Sequence, residues 1–245
     1  MEQEWLEQKV MQIIRNSGLE YYREPLFGYA SASDPIFLQL KTVVGENHLM
    51  PCDLLPAAQT VFAFFLPFRK EIIEHNRNGK LASREWARVY IDTNQLISRI
   101  GLELQAALAE KKIQLVSQSP TYDFDKEKLI ANWSHRHIAY ACGLGTFGRN
   151  NLLITAKGCS GRLGTLILDI PLEPSPRTQL IHYCLDDTKG CSYCQKICPV
   201  QALSDPIFNR QSCYQQLLLN DRTYLDLELC DVCGKCATGP CGYIE

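Results

Sequence analysis

A chain of 245 residues, 46% hydrophobic and 21% charged, has enough apolar material for a sizeable core and too much for disorder. A formal net charge of −2 leaves no basic excess, so composition argues against a protein that holds nucleic acid by bulk charge. The longest apolar run, Thr60–Phe68, is too short to span a bilayer as a helix and contains Pro67; no secretory pattern precedes it, so the expectation is a cytoplasmic protein with no membrane association.

In chain order, the opening residues read as an amphipathic helix with Trp5, Val10, Ile13 and Ile14 near one face. LFGYAS (26–31) has the length and composition of a strand. Asp34 followed by Pro35 marks a helix start. TVFAFFL (60–66) is rich in β-branched and aromatic residues, as a buried central strand is. Residues 81–112 place Trp86, Val89, Leu96, Ile100, Leu104 and Leu108 at helical spacing, which predicts one long helix. IQLVSQ (113–118) reads as the next strand, and WSHRHIAYACG as a helix ending near Gly143. NLLIT (151–155) and RLGTLILDI (162–170) read as two strands paired through the glycine-containing turn between them. Three prolines in residues 171–179 mark a linker. The expected organisation is an α/β domain over 1–178 and a cysteine-rich module over 179–245.

Of twelve cysteines, only Cys52, Cys142 and Cys159 precede residue 180; these three read as isolated, unreactive thiols. The other nine lie between Cys184 and Cys241. Clustered cysteines in a reducing compartment point to metal rather than disulfides. Cys191, Cys194, Cys198 and Pro199 fill all but the first position of C-x2-C-x2-C-x3-C-P, the bacterial [4Fe–4S] signature. Thr188 occupies that first position, and Cys184 stands four residues upstream of it, displaced by an insertion within LDDTKG. In two-cluster ferredoxins the fourth cysteine of such a run serves the other cluster. Cys184, Cys191, Cys194, Cys198, Cys213, Cys230, Cys233, Cys236 and Cys241 are nine candidates for eight ligand positions. One assignment gives Cys184, Cys191, Cys194 and either Cys236 or Cys241 to the first cluster, and Cys198, Cys213, Cys230 and Cys233 to the second. A rival treats Cys230, Cys233, Cys236 and Cys241 as one self-contained motif and leaves Cys213 spare. C-x2-C pairs also bind zinc, but zinc does not account for the x3-C-P ending.

Gly143, Gly145 and Gly148 spell G-x-G-x-x-G, yet a helix precedes them and a strand follows, the reverse of a dinucleotide site. They fit either close backbone approach to a flat cofactor or a tight helix–strand turn. Arg149, Asn150 and Asn151 follow, suited to a cofactor's phosphate or amide, or to the turn itself. His135 and His137 are two residues apart and so do not share a helix face; one of them is a candidate substrate or cofactor contact.

Two stretches carry a resemblance. ACGLGTFGRNNLLIT (141–155) resembles the AGLGWxGKNTLLI segment of the epoxyqueuosine reductases, and NRQSCYQQLLL followed by CDVC resembles that family's RRCISYLTIE…CDxCQ. The resemblance implies a nitroreductase-like, cobalamin-binding type of α/β domain followed by a ferredoxin-like double [4Fe–4S] module. It implies cobalamin held against a cluster, an arrangement shared with reductive dehalogenases, and a tRNA nucleoside epoxide as substrate. It also implies an external single-electron donor of ferredoxin or flavodoxin type. It favours Cys213 as a ligand, hence the first assignment, and offers Gly143, Gly145, Thr146, Gly148, Arg149 and Asn150 as cofactor contacts. Thr146 replaces the family's Trp and Arg149 its Lys. Leu129 stands thirteen residues before Cys142, where the family carries an acid; Asp123 and Asp125 lie nearby, and no catalytic residue is named. The alternative is an electron-transfer protein that reduces a partner's corrinoid or metal centre and has no tRNA substrate.

Overall fold

The computed structural model describes residues 2–119, 124–177, 181–204 and 207–245. Its elements in order are α1 (Glu2–Asn16), β1 (Leu26–Ser31), α2 (Ile36–Val43), α3 (Pro51–Leu54), β2 (Thr60–Pro67), α4 (Lys70–His75), α5 (Arg84–Ala109) and β3 (Leu115–Gln118). There follow β4 (Phe124–Asp125), β5 (Ile130–Ala131), α6 (His135–Ala141), β6 (Gly145–Phe147), β7 (Leu153–Thr155) and β8 (Gly161–Leu168). The cysteine-rich part holds α7 (Asp186–Lys189), α8 (Tyr193–Ile197), α9 (Arg210–Thr223) and a 3-10 turn at Lys235–Ala237.

Every residue of β2 is buried, so both faces of the sheet must be covered. Alternate side chains divide between two cores. Phe62, Phe64 and Leu66 pack with Leu6, Val10 and Ile13 of α1 and with Ile97, Ile100 and Leu104 of α5. Val61, Ala63 and Phe65 pack with Phe37 and Leu40 of α2 and with Ile138 and Ala139 of α6. The result is a mixed α/β sandwich around a four-stranded antiparallel sheet of order β1-β2-β8-β3. Among the described residues, no helix is long and apolar enough to cross a membrane.

Local signals behave as their chemistry requires. Asp34 Oδ1 accepts from the Ile36 amide at 2.9 Å and so caps α2. Ser83 caps α5, its Oγ accepting from the Trp86 amide at 3.1 Å. Ser83→Ala is expected to destabilise the protein by ~1 kcal/mol, read as a lower urea midpoint with an unchanged m-value.

One pairing differs from expectation. NLLIT does not pair with the following strand. β7 forms a hairpin with β6, and β8 runs between β2 and β3. The turn between β7 and β8 closes on itself through Thr155 and Gly158, and its outgoing amides are taken by the far end of the chain: Cys159 N donates to Cys241 O at 2.9 Å and Ser160 N to Gly242 O at 3.1 Å. The cysteine-rich part is thus tied into the first core, which includes Ala237 and is packed by Val232, Cys241 and Tyr243. Residues 178–180, where the expected domain boundary falls, lie outside the described residues.

Candidate metal centres

The insertion that separates Cys184 from the rest of its motif folds as the single turn α7. Gly190 ends it in a left-handed conformation (φ 61°), and Cys191 N returns to Leu185 O at 3.3 Å. Cys184 and Cys191 therefore face one cavity. That cavity, about 340 Å³ including its mouth open to solvent, is lined by Cys184, Cys191, Cys194, Cys236 and Cys241, with Arg149 and Asn150 in its wall. Burial, then the Cys241 thiolate, then those of Cys184 and Cys191 push Cys194 up to about 11.

Cys198, Cys213, Cys233 and Cys236 make a second group. Cys213 rides on the second turn of α9, which Asn209 caps. That helix buries amides: Gln216 Nε2 donates to Lys80 O at 3.1 Å and Asn220 Nδ2 to Val232 O at 2.6 Å. These bonds fix Cys213 against the Val232–Cys236 loop. Burial, then Cys233 and Cys198, push the Cys213 thiol up to about 11. Burial raises Cys236 further, with Cys233, Cys213 and Cys198 its foremost charged neighbours.

Thiols packed this way resist losing protons unless a cation takes their place, which is what a bound metal does. Among the described residues, no three His, Cys, Asp or Glu side chains converge closely enough to grip a single metal ion. The first group instead surrounds a volume. A cube of iron and sulfide needs that arrangement, because its corners keep the thiolates further apart than one ion would.

Three cysteines depart from expectation. Cys230 was expected beside Cys198 and Cys213, but it is fully buried against Ala87 and Ile91. Its amide donates to Asp221 Oδ1 at 2.9 Å, and among the described residues the charges that face it are Asp221, Asp231 and Arg84. Cys236 stands in its place in the second group. Cys159, expected to be isolated, is buried beside Cys241. Its S–H donates to the Cys241 sulfur, raising Cys159 and lowering Cys241. Nothing local signals that neighbour; it follows from the backbone pairing of Cys159 with Cys241. Cys142 fits expectation, buried with its Sγ 3.5 Å from Val61 O, and Cys52 is exposed.

The glycine-rich stretch serves the turn. A Cβ on Gly143, whose φ is +77°, would lie 2.6 Å from Pro176 O; one on Gly145 would lie 2.2 Å from Ile154 O, and one on Gly148 2.4 Å from the Ile154 side chain. The space these glycines leave is filled by protein, not by a cofactor face. Thr146 is buried, its Oγ1 donating to Ile181 O at 3.0 Å. Arg149 and Asn150 do reach a site, but it is the cysteine cavity. Arg149 Nε pairs with Asp186 Oδ2 at 2.5 Å and pins α7. Buried Asn150 donates from Nδ2 to Cys236 O at 3.2 Å and lies 3.6 Å from Cys159 Sγ and 3.9 Å from Cys241 Sγ.

Just before α6, Trp133 Nε1 donates to Thr165 Oγ1 at 2.9 Å, which leaves the threonine proton for His135 Nδ1, on the first turn of α6, at 2.8 Å. His135 Nε2–H then donates to Ser119 O at 3.2 Å. Desolvation lowers both His135 and His137 to about 4. The unfolded chain takes up these protons near the ordinary value of 6.5, the folded chain not until about pH 4. Stability is therefore expected to fall as pH drops through that window. Urea titrations between pH 7.5 and 4.5 check this, with a shallower slope for His135→Gln. Arg136 keeps an open face to solvent yet sits in a dense recess, where desolvation lowers its pKa and the charges of Cys236 and Cys213 draw it back up. Of the two candidate acids, Asp123 lies outside the described residues. Asp125 is exposed, and its Oδ1 accepts from the amides of Glu127 and Lys128, each at 2.9 Å, which holds its pKa low.

No protein-family model and no curated protein sequence matches the chain. Solved structures do. The epoxyqueuosine reductase of Streptococcus thermophilus is 15% identical with a TM-score of 0.55, over 95% of this chain and 65% of its own. An epoxyqueuosine reductase solved with an epoxyqueuosine-modified tRNA-Tyr stem loop is 20% identical with a TM-score of 0.54, over 88% and 58%. A catabolic reductive dehalogenase in complex with 3-bromo-4-hydroxybenzoic acid is 14% identical with a TM-score of 0.54, over 86% and 28%. The chain thus has the fold of the epoxyqueuosine reductases and spans about 65% of the length of the Streptococcus thermophilus protein.

Proposed function

We propose that the chain is an iron–sulfur oxidoreductase that holds two [4Fe–4S] clusters. Cys184, Cys191, Cys194 and Cys241 hold the first; Cys198, Cys213, Cys233 and Cys236 hold the second. The observation that carries this reading is that Cys184, Cys191, Cys194 and Cys241 line one cavity while Cys198, Cys213, Cys233 and Cys236 are mutual neighbours, Cys236 standing where the two adjoin. Cys198 leaves the first run for the second group, and Cys241 returns to the first, as in two-cluster ferredoxins. Bound there, the clusters would supply one-electron transfer. The chain's own residues shape the sites: Arg149 and Asp186 fix the loop that carries Cys184, and Asn150 braces the loop that carries Cys236.

The shared fold supports a further step, in which the electrons pass to a corrinoid or substrate held by the N-terminal α/β part, after delivery by a ferredoxin- or flavodoxin-type donor. Cobalamin added to the iron-loaded protein is expected to bind at micromolar concentration with a shifted corrin absorption, and epoxyqueuosine-containing tRNA is the substrate to assay next. Absence of binding at ~50 µM, equivalent to ~−6 kcal/mol, removes the corrinoid. It leaves the second reading, an electron-transfer protein that reduces a partner's centre. The commitment of Asp125 to a turn favours that reading, since an epoxide needs a positioned acid.

A further inference from the structure

Lys235 sits between two second-group cysteines, in Cys233-Gly234-Lys235-Cys236, and is 1% exposed. Its Nζ donates to Asn76 O at 2.7 Å and to Asn78 O at 2.6 Å. The strap that supplies these carbonyls is tied to the second group. Asn76, itself fully buried, donates from Nδ2 to Cys233 O at 2.9 Å and accepts the Ser83 amide at 2.9 Å. Among the described residues, Lys235 makes no ion pair with a carboxylate. The two carbonyls take two of the three protons of the ammonium and do not neutralise its charge, and a buried charge without a counter-charge is strongly unfavourable.

The counter-charge nearest in the chain is the cysteine group on either side of it. Four thiolates around a cluster carry net negative charge, and one more unit once it is reduced. A buried cation beside that centre stabilises the reduced form more than the oxidised one, and charge of this kind is among the levers that set cluster potentials. Among the described residues, no buried lysine stands beside the first group. Its wall residue Arg149 is already paired with Asp186. Arg136 faces the second group too, where desolvation lowers its pKa and the charges of Cys236 and Cys213 raise it, so its charge acts in the same direction as that of Lys235.

We propose that Lys235 is the built-in counter-charge of the Cys198–Cys213–Cys233–Cys236 centre, and that it holds this centre's reduction potential above that of the Cys184–Cys191–Cys194–Cys241 centre. Lys235 acts on the cluster through its charge and is a positioning residue. The proposal rests on the two-cluster reading. An anaerobic redox titration of the iron-loaded full chain, followed by electron paramagnetic resonance, tests it. Wild type is expected to give two separate one-electron waves. Lys235→Met and Lys235→Gln are expected to lower the more positive wave by at least tenfold in its equilibrium, ~59 mV, with the other wave little moved and iron content retained. Coincident waves in wild type contradict the proposal whatever the variants do. So does an unmoved positive wave at full iron, or an equal shift of both waves. A wild-type chain that binds no second cluster overturns the two-cluster reading before Lys235 comes into question.

Discussion

Cys236→Ala is expected to leave the purified protein with about four irons, and Cys230→Ala with about eight. The two residues stand at either end of Cys230-Asp231-Val232-Cys233-Gly234-Lys235-Cys236, each three from Cys233, a run in which C-x2-C occurs twice. Spacing alone allows either pair. The structure separates them. Cys230 is packed under α5 against Ala87 and Ile91, among carboxylates. Cys236 shares its surroundings with Cys233, Cys213 and Cys198. A lost ligand opens one face of its cluster to solvent, whereas Cys230→Ala removes one buried sulfur that packs on Ala87 and Ile91. Iron analysis with acid-labile sulfide on anaerobically loaded protein reads both. The reverse pattern would mean that the second centre uses Cys230, as the resemblance alone suggests.

Phe62→Ala is expected to destabilise the protein by ~3–5 kcal/mol, the range for emptying a buried aromatic position. Phe62 lies mid-strand in β2, fully buried, and stacks on Tyr29 with ring centroids 4.8 Å apart. Phe27 and Phe64 adjoin it at 5.9 and 6.0 Å. Four rings meeting on one face of the sheet leave little room for collapse, so the cavity persists. The expected drop in melting temperature is roughly 6–20 °C, at about 2–4 °C per kcal/mol for a chain of this size. A fall below ~2 °C would mean that this face of the sheet repacks freely.

Elements written in local periodicity were legible. β1 and β2 match the stretches read as strands, and α5 occupies the core of the segment read as one long helix. Asp34 caps as its position suggested. What depended on distant partners was not legible. NLLIT has the composition of a strand, but its partner is β6, because the turn after it spends its amides on Cys241 and Gly242. Cys159 looked solitary for the same reason. Cys184 lies beside Cys191, as its displacement suggested, because the insertion is short enough to close as one turn; which of Cys230 and Cys236 lies near Cys198 and Cys213 could not be read, because a repeated spacing carries no register. The glycines were ambiguous in sequence because close approach to a cofactor and close approach to backbone demand the same residue. Pro176 and Ile154 decide it, and neither is near in sequence to Gly143 or Gly145 at once.

A [4Fe–4S] cluster in each of the two cysteine groups is checked by iron, acid-labile sulfide and zinc measured together on protein prepared without oxygen. About eight irons and about eight sulfides per chain are expected, with no stoichiometric zinc. Fewer than about six irons, or zinc at one equivalent or more, would contradict the two-cluster reading.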